Sequence, residues 1–148
     1  MTQLADSHVA PGPVLEELTV SDCLRLLGDN RLGRVAVSLR ALPHIFPVNY
    51  VLDGTGVVFV SGRGTKLAAA SRNAVVAFEI DGTDNMSHTG WSVEVTGTSE
   101  IVTDPIEVEH CRRLALSAWA RPEDGCFVRI QIVGLTGRRV TYATSEAI

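Results

Sequence analysis

Apolar and polar side chains alternate along several stretches of this chain, the period of two that sends successive side chains to opposite faces of a strand. From Trp91 to Val102, Trp91, Val93 and Val95 share one face and Ser92, Glu94 and Thr96 the other. From Cys126 to Val133, Phe127, Arg129 and Gln131 stand opposite Val128, Ile130 and Ile132. Shorter β-rich runs are Arg34–Leu39, His44–Leu52 and Val57–Ser61, while Ala74–Ile80 is largely apolar and Gly134–Tyr142 can supply one more strand. Asp53-Gly54 and Asp81-Gly82 are strong turn signals, Arg40–Pro43 makes a turn, and polar Thr83–Gly90 reads as a loop. Pro47 has no N–H to give to a ladder, so its strand must carry it at an edge, a bulge or a point of irregular pairing. Gly97, inside the longest alternating run, predicts a bulge or a barrel-corner bend.

Three segments carry helix signals instead. Thr19 is placed as an N-cap with Asp22 as its capping-box partner and Leu18 stapled onto Cys23; Cys23, Leu24 and Leu27 then share a face, and Gly28 ends the helix. Lys66 to Arg72, with its run of alanines, predicts about two helical turns. Asp104-Pro105-Ile106-Glu107 starts a third helix, expected to reach about Trp119 and to bury Val108, Cys111, Leu114 and Ala115, with a turn at Pro122–Gly125. Residues 1–14, with Pro11-Gly12-Pro13, have no periodicity and form a loose tail ahead of one domain over residues 15–148. Six or seven strands in hairpin order with three short helices predict a mainly β fold, an antiparallel sheet closed into a small barrel.

Charge narrows the functional classes. Thirteen basic residues against seventeen acidic ones give a net charge of -4 over 148 residues, with no basic tract. Nucleic acid is therefore not the expected partner, since phosphate-backbone affinity needs clustered Lys and Arg. No apolar run approaches the ~20 residues of a membrane span and no signal-peptide pattern opens the chain, so a cytoplasmic location is expected. Cys23, Cys111 and Cys126 are far apart and lie among apolar residues, and His8, His44, His88 and His110 are scattered, so neither a disulfide framework nor a metal site is expected.

Candidate chemistry concentrates in Ser61-Gly62-Arg63-Gly64-Thr65-Lys66, where two hydroxyls, two cations and two glycines precede Leu67-Ala68-Ala69-Ala70. Glycines let a backbone come close to a ligand, and the cations supply countercharge for a phosphate ester. The run is not a Walker A loop: one residue separates the glycines and Leu67 follows the lysine. A plainer reading makes the glycines turn residues and Lys66 a solvated first-turn charge.

With these elements in order, the chain resembles a known family. FPVNY in the second strand, DG before the third, GTKLAAA at the loop-to-helix junction and TGWSVEVTG in the fifth strand are similar to the pyridoxamine 5'-phosphate oxidase-like split-barrel flavoproteins, and among them to the nitroimidazole-resistance branch. The similarity runs roughly from Leu18 to Val140. It implies a six-stranded antiparallel split barrel, a homodimer and two FMN molecules at the dimer interface. It also implies that Pro47, Val48 and Asn49 lie along the flavin ring, that Ser61 approaches the ribityl chain and phosphate, and that Thr65 and Lys66 bind the phosphate with Arg63 as a helper. Trp91 and Ser92 match the strand that approaches the flavin from the other subunit. The paired arginines and histidine that hold pyridoxamine phosphate cannot be placed in this chain; Arg138 and Arg139 acquire no role, and His44, at the start of the second strand, is either a strand-edge residue or a neighbour of the cofactor. The implied function is an FMN-dependent oxidoreductase acting on a small organic substrate. Its rivals are a deazaflavin-dependent reductase on the same scaffold and a protein that binds or senses flavin without turnover; haem fits less well, since no histidine is marked as an axial ligand.

Overall fold

The computed structural model describes residues 12–116 and 124–142. In chain order the elements are β1 (Pro13–Glu17), α1 (Val20–Asp29), β2 (Leu32–Leu39), β3 (Leu42–Asp53), β4 (Gly56–Gly62), α2 (Lys66–Ala70), β5 (Ala74–Asp84), β6 (Thr89–Ile101), α3 (Pro105–Arg112) and β7 (Gly125–Tyr142). Seven antiparallel strands follow the order β1-β7-β4-β3-β2-β5-β6, and a further β6–β7 ladder closes the ring. Closure removes the open edges that a free sheet would leave unpaired.

The ring holds six strands; the seventh, β1, extends one edge. β7 pairs through Gly125–Gln131 with β4 and through Val128–Val140 with β6. Where β4 ends, β1 takes over the same edge, pairing Pro13–Glu17 with Arg138–Tyr142. The β2–β5 seam is the shortest, joining only Arg34–Ala36 to Ala77–Glu79. The β6–β7 register shifts between Thr96 and Gly97, the position expected for a bulge. There a side chain is impossible without movement, because a Cβ on Gly97 would fall on the Gln131 carbonyl oxygen.

Inward-facing residues of the ring form one core around Val35, Tyr50, Val57, Phe59, Phe78, Val95 and Ile130, all essentially without solvent contact. Tyr50 packs edge-on against Phe78, with ring centroids 4.8 Å apart, and its hydroxyl donates to the Leu27 carbonyl at 2.7 Å. Burial pushes the Tyr50 hydroxyl's pKa up, so it remains a donor and pins α1 onto β3. A second cluster of Val58, Val102, Cys111 and Phe127 fixes α3 on the outside of β4 and β7. Asp53 ties the same region together, accepting from Arg129 at 2.7 Å and His110 at 2.9 Å. The Arg129 guanidinium holds the Asp53 carboxyl below the usual carboxylate range.

Several boundaries differ from the sequence expectation. Thr19 does cap α1, accepting from the Asp22 N–H at 3.1 Å, but the helix passes Gly28 and stops where the Asn30 amide donates to the Leu26 carbonyl at 2.7 Å. α3 ends at Arg112 rather than near Trp119; Arg113 and Leu114 close it with tighter bonds to His110 and Cys111, and Ala115 is exposed. Trp119 and Pro122 lie outside the described residues, as does most of the expected tail, whereas Pro13 and Val14 belong to β1. The expected loop at Thr83–Gly90 shrinks to a turn at residues 85–88, and the two expected C-terminal strands are one continuous β7 of 18 residues.

Candidate functional site

β3, β4 and the first turn of α2 together enclose an open groove of about 250 Å³. Phe46, Pro47, Val48, Val60 and Leu67 make its apolar wall, and Asn49, Ser61, Thr65 and Lys66 bring polar groups to it. Thus six of the nine expected site residues converge: Pro47, Val48 and Asn49 from β3, Ser61 from β4, and Thr65 and Lys66 from the loop and helix.

The loop geometry assigns these groups different duties. Thr65 is the N-cap of α2: its Oγ1 accepts from the Ala68 N–H at 3.1 Å and its proton goes to the Gly62 carbonyl at 2.8 Å. Ser61, almost fully buried, stands 3.0 Å from the same Oγ1 and, with Thr65's proton already placed, is the donor in that contact. The two hydroxyls therefore brace the loop, and their donors are committed within it. Lys66 differs. It is exposed, takes part in no ion pair among the described residues, and brings three N–H donors to the polar end of the groove. The sequence held a sharper sign of this than its glycines: Lys66 is the only lysine among the chain's thirteen basic residues.

Three expected residues stand elsewhere. Arg63 lies across the loop, its Nε donating to the Gly125 carbonyl at 3.4 Å, and lines a different cavity of about 390 Å³ with Arg72 and Cys126. Trp91 lies against the outer margin of the core, its indole over Gly82, where a Cβ would come within 2.6 Å of Nε1. Ser92 sits between Asp81 and Arg138 in the β5–β6–β7 ladder. Within one chain neither Trp91 nor Ser92 lines the groove. His44, which the sequence left open between a strand edge and the cofactor's side, lies one residue pair up β3 and stacks on Phe46, with ring centroids 6.1 Å apart at 25°. No group of three or more metal-ligating side chains occurs among the described residues, and no helix there is long and apolar enough to cross a membrane.

The arrangement is suited to an elongated ligand with a flat apolar part and an anionic end. Comparisons with known proteins point the same way for the fold. The family model for pyridoxamine 5'-phosphate oxidase matches residues 19–139. An uncharacterised protein of Mycobacterium tuberculosis is 36% identical over 129 residues, spanning 84% of this chain and 84% of its own length. Among solved structures, an FAD binding protein from Mycobacterium smegmatis superposes with a TM-score of 0.74 at 35% identity, covering 84% of this chain and 98% of that one. An FAD-binding protein from Mesorhizobium loti superposes with a TM-score of 0.73 at 25% identity, covering 88% and 99%. A closed antiparallel ring with its groove between β3, β4 and α2, matched over most of its length by that model, makes this chain a member of the pyridoxamine 5'-phosphate oxidase family.

Proposed function

We propose that the groove holds a flavin nucleotide and that the protein is a flavin-dependent oxidoreductase acting, as a homodimer, on a small organic molecule. The observation that carries this reading is the chain's sole lysine, without an ionic partner among the described residues, at the polar end of an apolar groove. A phosphate monoester is a dianion at neutral pH, and a charge-assisted N–H···O bond from Lys66 is the strongest contact the groove offers it. The isoalloxazine ring then lies against Val48 and Pro47, with Asn49 reaching its polar edge. The relatives named as FAD-binding support a flavin over a chemically unrelated phosphate ester.

Groove size supports the dimer. About 250 Å³ is below the roughly 300–1,000 Å³ of sites that bury most of a ligand, so one face of the ring needs a wall from another chain. Trp91 and Ser92 of a second copy are the residues we assign to that wall. When bound, the flavin supplies the electron transfer, and the protein supplies orientation and exclusion of water. No carboxylate, imidazole or thiol lines the groove among the described residues, so protons exchanged in turnover pass through substrate or solvent.

Because Lys66 is the only lysine, amine modification reads the site directly. Acetylation of the purified protein, followed by peptide mass spectrometry, is expected to modify Lys66 freely without ligand and several-fold more slowly with saturating FMN. Riboflavin, which has no phosphate, should give no such protection; equal protection by both would place Lys66 away from the phosphate. Reduction of the bound flavin by a nicotinamide donor, and its reoxidation by an added acceptor, separates an enzyme from a protein that only binds flavin.

A further inference from the structure

The groove does not end at Lys66. Beyond Thr65 and Lys66, which line both spaces, a second cavity of about 410 Å³ opens against Arg40, Leu42, His44 and Ala69. This volume falls within the range of sites that bury a small organic group. The stacked pair of Phe46 and His44 runs from one cavity to the other, Phe46 in the first and His44 in the second, giving them a continuous aromatic floor. Leu42 contributes an apolar wall that is 63% exposed in the single chain.

The turn beside this cavity has an unusual composition. Leu39 pairs with Leu42, so Arg40 and Ala41 form a two-residue hairpin turn, with φ of 51° and 64°. Asn-Gly is the favoured occupant of such a turn, because both positions need the left-handed region. A long side chain at Arg40 strains the backbone where glycine would not, and in return it places a guanidinium at the cavity. That guanidinium takes part in no ion pair among the described residues.

We infer that the second cavity receives the adenylate half of a dinucleotide flavin. The inference rests on the reading that the first cavity holds the mononucleotide half. The pyrophosphate then bridges Lys66 and Arg40, two separated cations for two phosphates, and the adenine meets the His44–Phe46 stack and Leu42. An acidic oligopeptide tail, as on a deazaflavin, fits less well: it carries a carboxylate at every residue, whereas beyond Lys66, which the first phosphate takes, this cavity offers one guanidinium, aromatic surface and leucine.

The test is calorimetric titration of the apo protein with FMN and with FAD, using wild type, Arg40→Gly and Lys66→Ala. Glycine relaxes the backbone at φ 51°, so Arg40→Gly should unfold at or above the wild-type temperature while lacking the guanidinium. FAD is expected to bind wild type at least about tenfold more tightly than FMN; Arg40→Gly should remove about tenfold from FAD affinity and less than about twofold from FMN affinity. Lys66→Ala should weaken both. Equal FMN and FAD affinities in wild type, or equal losses in Arg40→Gly, overturn the adenylate assignment and leave the flavin reading intact. Binding of neither flavin, or binding indifferent to Lys66→Ala, overturns both readings. A glutamyl-tailed deazaflavin that outcompetes FAD and loses affinity in Arg40→Gly would give the cavity to an acidic tail and refute the adenylate.

Discussion

Glu79 shows how one side chain on this barrel couples position to pH. It stands in the β2–β5–β6 ladder opposite Arg34 on one side and Glu94 on the other, with Asp81 two residues on along the same face. Burial first, and then the neighbouring Asp81 carboxyl, raise its pKa from 4.5 to about 7, although the Arg34 guanidinium lies 3.6 Å away. A carboxyl that holds its proton more tightly when folded stabilises the fold below its unfolded pKa and loses that contribution as pH rises through the folded value. Stability should therefore decline between about pH 4.5 and pH 7, and Glu79→Gln should flatten the decline. Denaturation midpoints across that window check it; parallel wild-type and Glu79→Gln profiles would contradict it. Asp53 acts oppositely, with its pKa lowered from 3.8, so its contribution is lost only at more acid pH.

Individual elements were legible in the sequence where their stability is local or their pattern is one-sided. The alternation of β6 and the caps at Thr19 and Asp104 gave those elements their correct starts to within two residues. β1 was not legible, because its five residues are all exposed and only pairing with distant β7 holds them. β7 looked like two strands because Gly134 and Gly137 interrupt its pattern, yet β6 pairs across both positions. At Gly137 the reason for glycine is external: a Cβ would come within 2.5 Å of the Cys23 sulfur in α1. Gly97 has a comparable constraint from the Gln131 carbonyl and from Ile130 Cγ2 at 2.9 Å. Gly97→Ala should cost about 1–3 kcal/mol, because the obstacle is backbone and cannot rotate away. Urea unfolding reads this as a lower midpoint at unchanged slope; an unchanged midpoint would mean that the bulge yields freely.

For the molecule as a whole, the six-stranded ring places its candidate chemistry where β3, β4 and a short helix meet. Six of nine expected site residues fall in one groove because the segment from Phe46 to Leu67 is a hairpin followed by a turn, so sequence neighbours remain neighbours in space. Arg63 escaped that logic, since a loop's direction is set by packing against Gly125 rather than by composition. Trp91 and Ser92 lie on β6, away from the groove of their own chain, and the proposed dimer assigns them to the groove of the second copy. The protein should accordingly sediment as a dimer at micromolar concentration; a monomer there would remove the shared-wall part of the account.

The assignment of Lys66 to a flavin phosphate, proposed above, is decided by paired titrations of the apo protein with FMN and riboflavin. Hydrogen bonds to charged groups contribute about 1.5–3 kcal/mol, so Lys66→Ala should weaken FMN binding by about one to two orders of magnitude. Riboflavin should bind wild type weakly and be almost indifferent to the substitution, and the unfolding temperature should hold because Lys66 is exposed on the first turn of α2. Equal losses of FMN and riboflavin affinity would overturn the phosphate assignment, because Lys66 would then act on the ring or the fold rather than on the phosphate.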